Sequence, residues 1–342
     1  MQPFLFDRAD SVTEALRAAP DATVVAGGTN LVDYMRLGVV SPKHLVDING
    51  LSQETAALGR ITLDHQGLRL GALVRMAEAE DHPGIRARYP VLADSLALAA
   101  SRQIRTMASL GGNLLQRTRC EYFREASWPC NKRRPGSGCA ALDGLNRQHA
   151  VLGTSDACIA TYPGDMAQAL LVLDAQVELT GPRGVRLVPV AKVHRQPGTT
   201  PYLETTLAPD ELITALVVPA SPWSWRSRYV KVRDRRSYAF ALASAAVALD
   251  LESGRVKQAR IALGGVATVP WRAEAAEAAL VGKPLDEGAA RVAADAAFAG
   301  ARTRAHNAFK VPLGQEVLVQ ALLQAGALQP PPPTSRNGVT HA

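Results

Sequence analysis

Apolar and polar positions alternate in short blocks with changing period, so the chain reads as a succession of brief strands and helices. Ser11-Val12-Thr13-Glu14 has the capping-box pattern and opens a helix through Leu16 and Ala19. Ala22–Ala26 is a short apolar strand running into Gly27-Gly28-Thr29-Asn30, and His44–Ile48 and Leu68–Leu73 read as two more. Val91–Ser101 carries apolar residues at helical spacing, and Thr106–Asn113 reads as a Ser/Gly-rich turn. Further on, Ala157–Thr161 reads as a strand, Gly164–Asp174 as a helix and Gln176–Thr180 as a strand. Pro219, Pro222 and the Trp223–Trp225 pair punctuate a domain boundary. Beyond it, Tyr229–Arg233, Ala239–Leu251 and Val256–Gly264 predict three longer strands. Helices follow near Arg272–Leu280, Gly288–Gly300 and Leu313–Ala325. Strands followed by a block of helices define an α+β layer rather than another wound βα unit. Gln329–Ala342, with four consecutive prolines, is expected to be disordered.

Composition narrows the class without naming a function. The 342 residues are 47% hydrophobic and 20% charged, enough for two or three domains with a substantial core. The net charge of +7 suits an anionic cofactor or an acidic partner. No aromatic-plus-basic repeat supports a nucleic-acid surface. No run of about 18 apolar residues exists, so no membrane-spanning helix is expected. The start, MQPFLFDRADS, lacks a basic region followed by an apolar stretch, so no signal peptide of its own is expected.

All four cysteines, Cys120, Cys130, Cys139 and Cys158, fall in one 39-residue window punctuated by glycine and proline. Four thiols on one irregular segment suggest a single tetrahedral site: an iron–sulfur cluster, a structural zinc, or a pair of disulfides. The C-x9-C-x8-C-x18-C spacing contains neither the paired C-x2-4-C of zinc sites nor the C-x2-C of ferredoxins, and leaves cluster and zinc open. Arg117, Arg119, Arg124, Lys132, Arg133 and Arg134 stand against Glu121 and Glu125 in the same window. Such a run reads as a solvated face, as charge stabilising an anionic cluster, or as a docking site for an acidic partner. His149 has no partner motif and reads as structural.

Two glycine loops carry the second signal. Gly27-Gly28 after a strand, and Gly111-Gly112 in Ser109-Leu-Gly-Gly-Asn113, can each turn backbone N–H groups toward a phosphate. Neither is the G-x-G-x-x-G nicotinamide fingerprint, and no P-loop is present. Two such loops about eighty residues apart suit the two ends of one extended diphosphate; separate, unrelated turns are the alternative.

AGGTNL at 26–31 together with ASLGGN at 108–113 resembles the flavin-binding subunit of the xanthine dehydrogenase and molybdenum hydroxylase family. The resemblance covers nearly the whole chain, through Asp165, Glu211-Leu212-Ile213 and Tyr229-Val-Lys231-Val-Arg233. The cysteine segment from Leu114 to Cys139 is similar to a narrower group, the flavin subunits of periplasmic aldehyde oxidoreductases, whose insertion holds a [4Fe–4S] cluster. The flavin subunit of 4-hydroxybenzoyl-CoA reductase is a rival in the same fold, and a zinc- and nucleic-acid-binding protein is a rival of another class.

The resemblance implies an α+β fold. An FAD-binding domain of the p-cresol methylhydroxylase type, with two α+β subdomains, would span residues 1–221 and carry the inserted cluster loop at about 114–158. A smaller C-terminal α+β domain, a three-stranded sheet with a helix layer, would span 226–327, before a tail at 329–342. It also implies that Ala26, Gly27, Gly28, Thr29, Asn30 and Leu31 wrap the FAD diphosphate, with Ala108, Ser109, Gly112, Asn113, Gln116 and Thr118 completing the contacts. Asp165 would accept hydrogen bonds from the adenosine ribose, or alternatively cap the helix from Met166. Ile213 would press on the isoalloxazine ring and Lys231 would favour the anionic reduced flavin, their plainer roles being a core residue and an exposed strand position. Cys120, Cys130, Cys139 and Cys158 would hold the [4Fe–4S] cluster. No catalytic residue is implied here. Aldehyde oxidation would occur in a large molybdenum-cofactor partner and electrons would arrive through a small partner with two [2Fe–2S] centres, leaving to an external acceptor. The complex would be periplasmic by export with a signal-bearing partner, or else cytoplasmic.

Overall fold

The computed structural model describes residues 1–330, omitting the Glu54 side chain; all but the first two residues of the expected tail lie outside the described residues. Three sheets organise the chain. The first is parallel, formed by β1 (Leu5–Arg8), β2 (Thr23–Val25) and β3 (His44–Asp47) in the order β1-β3-β2. The helix Val12–Ala18 links β1 to β2. Ser11 caps it by accepting from Glu14 N at 3.1 Å, while Glu14 reaches back to Asp10 N at 2.8 Å, one residue beyond the usual capping-box partner.

The second sheet is antiparallel: β4 (Ile61–Leu63), β5 (Gly67–Gly71), β6 (Gln176–Gly181), β7 (Gly184–Pro189) and β8 (Leu212–Pro219), ordered β4-β5-β8-β6-β7. Between β5 and β6 run the helices Pro90–Ala97 and Met166–Val172 and the whole cysteine segment. Their buried faces and the sheet form the main core around Leu70, Leu92, Leu96, Leu170 and Leu216.

The third sheet contains β9 (Ser227–Val232), β10 (Ala243–Glu252), β11 (Arg255–Gly264) and β12 (Trp271–Arg272), in the order β12-β11-β10-β9. It therefore has four strands, not the expected three. The fourth is only two residues long, too short to leave a period, and pairs Trp271 with Leu263 and Arg272 with Ala262. That pairing delays the next helix to Glu274–Leu280. β10 is buried on both faces: Ala246 and Ala248 pack into the main core, while Ala245, Val247 and Leu249 join a second core on the side of the helix Lys310–Gly326. Alanine suits a strand with layers packed close on either side.

Two further expectations change. Ala157–Thr161 is not a strand; it makes only an isolated bridge between Ser155 and Cys158, because Cys158 turns into the cysteine cavity instead of a ladder. The 106–113 turn contains the start of a short helix, Leu110–Leu114, capped by Ser109 Oγ accepting from Gly112 N at 3.3 Å. The C-terminal domain clamps the end of the cysteine segment with fully buried polar side chains. Lys310 Nζ donates to Gln148 O at 3.1 Å and Gly265 O at 2.6 Å, and Asn307 Nδ2 donates to Ala150 O at 3.1 Å.

Candidate functional site: a two-loop groove and a four-cysteine cavity

The glycine loops meet. Gly28 turns the chain through φ +68°, a left-handed conformation that glycine adopts without strain. Gly27 lies so close to the backbone of Met107 that a side chain there would collide with the Met107 carbonyl oxygen. Arg75 stitches the contact: Nη1 donates to Met107 O at 2.7 Å and Nη2 to Asn49 Oδ1 at 2.8 Å, while Asn49 Nδ2 donates to Ala26 O at 2.9 Å. Nothing in the sequence marks Arg75, since its partners, the Met107 carbonyl and the Asn49 side chain, lie on distant loops.

The paired loops line a cleft of about 230 Å³. Ala26, Gly27, Gly28, Thr29, Asn30, Leu31, Ser109, Gly112, Asn113 and Gln116 all border it. Thr29, Asn30, Asn113 and Gln116 also border a second cleft of about 560 Å³, so the two form one groove. Ala108 and Asp165 line the second part. Twelve of the fifteen residues expected at the flavin are thus brought together.

The other three lie elsewhere. Thr118 is buried: its Oγ1 donates to Thr161 O at 2.9 Å and accepts from Cys120 N at 3.1 Å, and the residue borders a neighbouring cavity of about 510 Å³. Ile213 sits in β8 opposite Leu179, packs against the main core and borders neither part of the groove. Lys231 is neither exposed nor at the groove surface. Its side chain is 1% exposed, and Nζ donates to Asp165 Oδ2 at 2.8 Å and Leu98 O at 3.0 Å. Asp165 occupies the N-cap position of Met166–Val172 but makes no capping hydrogen bond. Its other oxygen accepts from Tyr229 OH at 2.5 Å, and burial with the adjacent carboxylate holds the Tyr229 hydroxyl protonated, well above its ordinary range. Asp165 therefore meets the groove as a fixed, charge-compensated carboxylate.

The cysteines also converge. Cys120, Cys130 and Cys158 are buried, Cys139 is half-buried, and all four are free thiols lining one small apolar cavity with Tyr122, Phe123 and Ala141. Burial pushes the Cys120 thiol up to about 12 and Cys158 up to about 11, and raises Cys139. Ala160 N donates to Cys158 Sγ at 3.4 Å, and nearby backbone amides, of Phe123 and Tyr122 for Cys120 and of Ala141, Ile159 and Leu142 for Cys139, partly offset the effect of burial. His149 Nε2 stands 3.1 Å from Cys120 Sγ, a contact its sequence context did not announce. As the side chains stand, no group of three or more His, Cys, Asp or Glu among the described residues is set around a single metal ion. The donor chemistry nonetheless suits a soft, multi-atom centre. Four cysteines share one small apolar cavity, and an amide donor to sulfur, as at Cys158, stabilises a thiolate or a cluster.

The basic run is largely spent inside the molecule. Arg117 and Lys132 pair with Glu204 at 2.5 and 3.2 Å, and Arg119 and Arg124 with Asp33 at 2.7 and 2.6 Å. Arg133 donates to the carbonyls of Tyr122, Phe123, Ala126 and Trp128. Arg134 alone of the six is exposed. Among the described residues, no helix is long and apolar enough to cross a membrane.

A groove walled by two opposed glycine loops suits an extended diphosphate cofactor, and the comparisons with known proteins say which. Residues 5–221 match the FAD binding domain in molybdopterin dehydrogenase and residues 228–325 the CO dehydrogenase flavoprotein C-terminal domain. The chain belongs to the FAD-binding medium-subunit family of xanthine and carbon monoxide dehydrogenases, and is an oxidoreductase subunit. It is 46% identical to the aldehyde oxidoreductase FAD-binding subunit PaoB of Escherichia coli K12, over 96% of this chain and 99% of that one. The carbon monoxide dehydrogenase medium chain of Afipia carboxidovorans is 28% identical, covering 82% of this chain and 78% of its own. Among solved structures, carbon monoxide dehydrogenase from Hydrogenophaga pseudoflava superposes with a TM-score of 0.73 at 27% identity, covering 95% and 97% of the two chains.

Proposed function

We propose that this chain is the FAD- and [4Fe–4S]-binding electron-transfer subunit of a molybdenum-dependent aldehyde oxidoreductase. A large partner oxidises the aldehyde to a carboxylic acid at its molybdenum cofactor. A small partner with two [2Fe–2S] centres delivers the electrons, and an external acceptor receives them from this subunit. The complex is exported to the periplasm bound to a partner that carries the signal. The similarity to an aldehyde oxidoreductase FAD subunit over almost the full length of both chains supports the aldehyde assignment.

Bound FAD supplies reversible acceptance of two electrons, which lets paired electrons from the substrate leave singly or together. The chain's own part is to hold and insulate. Gly27 and Gly28 border the groove with their backbone and Asn113 with its side-chain amide, while the Gly112 N–H is taken up by Ser109 Oγ. The Asp165–Lys231–Tyr229 cluster fixes one wall without adding net charge. Cys120, Cys130, Cys139 and Cys158 would hold the cluster, with His149 beside Cys120 and the Ala160 amide donating to Cys158.

The observation that carries the reading is adjacency. Gln116, Arg117 and Arg119 border the groove, and Cys120, the next residue, borders the cysteine cavity. Two redox sites on consecutive residues fit a relay. Protein purified without oxygen is expected to contain about one FAD, four irons and four sulfides per chain. Zinc in the cavity, with flavin absent, contradicts the proposal.

A further inference from the structure

Among the described residues, every cation that lines the flavin groove comes from the cysteine segment: Arg117 in the first part, Arg119 and Arg124 in the second. The FAD diphosphate carries about two negative charges. Glycine-loop N–H groups solvate these only partly, so a nearby cation contributes strongly where water is excluded.

The three arginines are not equivalent. Arg117 is held by Glu204. Arg124 grips Asp33 with two hydrogen bonds, at 2.6 and 3.2 Å. Arg119 shares that carboxylate through Nη1 at 2.7 Å, sends Nη2 to Asn30 Oδ1, and leaves its buried Nε without an acceptor. One carboxylate between two guanidinium groups leaves a net positive charge, and Arg119 holds it against the last polar residue of the Gly27–Asn30 loop. The faces of Tyr34 and Phe240, with ring centroids 5.5 and 5.2 Å away, keep the guanidinium in place.

We propose that Arg119 is an FAD-binding residue that compensates the diphosphate charge, so that the cysteine segment contributes directly to flavin affinity. Asn30 and Asp33 orient it, and Arg124 frees it by taking up most of the Asp33 charge. The proposal rests on FAD binding alone. A chain found to hold no iron leaves its test intact.

The test titrates the FAD-free full-length chain with FAD and, separately, with riboflavin, which lacks both phosphates. Arg119→Gln is expected to raise the FAD dissociation constant about tenfold or more while leaving riboflavin binding unchanged. Arg119→Lys, which keeps the charge but loses the fork, should recover most of the FAD affinity. Equal weakening of both ligands, or unchanged FAD binding, overturns the proposal. Should Arg119→Gln fail to fold, the salt dependence of the unmodified chain decides. FAD affinity that falls with sodium chloride while riboflavin affinity stays level supports the role, and salt-independent FAD affinity overturns it.

Discussion

The flavin groove and the cysteine cavity occupy neighbouring stretches of chain and are built on opposite plans. The groove is open and made largely of backbone. Its key residues are glycines, and its two parts measure about 230 and 560 Å³. The cavity is small, apolar and bordered by all four cysteines, with their loop pinned at Gln148 and Ala150 by buried Lys310 and Asn307. A large polar cofactor needs many weak donors along an accessible path, and glycine lets the backbone provide them. A soft inorganic centre needs a few strong donors in a dry site. The two regions share one joint, Arg117 to Cys120, where the groove and the cysteine cavity adjoin along the chain.

Cys158→Ser should give the largest effect. Complete loss of iron and sulfide is expected, with flavin retained in part, as read by metal analysis and absorbance of the same sample. Simultaneous and total loss of both would mean that the regions are one site rather than two.

Gly27→Ala attacks the other side. The added methyl group meets the Met107 carbonyl and forces the loops apart. FAD affinity should drop at least about a hundredfold by fluorescence titration, an effect of the size that a misplaced binding loop produces. Iron content should barely change.

A pH experiment separates the cavity's clamp from the groove. Burial, reinforced by Arg147, pushes the Lys310 ammonium down to about 7, whereas in the unfolded chain it stays protonated to near 10.5. Between those values the unfolded state binds more protons, so this group's contribution to stability rises with pH across the window and is level below 7. Relative to Lys310→Met, the unmodified chain should gain about 2 kcal/mol of unfolding free energy between pH 7 and 9. An unchanged difference between the two proteins would show that Lys310 is not buried as a clamp.

The smallest effect is expected at Ser109→Ala. Loss of one helix cap costs about 1 kcal/mol in a denaturant melt, with a modest decline in flavin retention. A loss of several kcal/mol would assign Ser109 a part in the fold beyond the cap.

The sequence made some of these elements legible and hid others. The glycine loops were readable because the need for glycine is local: a positive φ at Gly28 and close approach at Gly27 restrict the residue type wherever they occur. The alanine-rich β10 was readable from its length and bounding turns. β1 and β12 were not, since Leu5–Arg8 has both faces exposed and Trp271–Arg272 is too short for a period. The Ala157–Thr161 stretch has strand-like residues, but cavity formation around Cys158 overrode that propensity. Lys231 shows the limit of reading roles from a pattern, because its alternation fits an exposed strand position while its ion pair with Asp165 buries it. Arg75 and the Arg119–Asp33–Arg124 bridge join residues far apart in the chain, and only the fold reveals them.

The most direct measurement is an anaerobic reductive titration of the purified chain, followed by visible absorbance. Two electrons at FAD and one at the cluster predict uptake of about three electrons per chain, with flavin bleaching and cluster bleaching resolved as separate phases. In Cys158→Ser the uptake should fall to about two, all at the flavin. An unmodified chain that accepts only two electrons, with no change outside the flavin bands, would contradict the claim that the cysteine cavity is a second redox site.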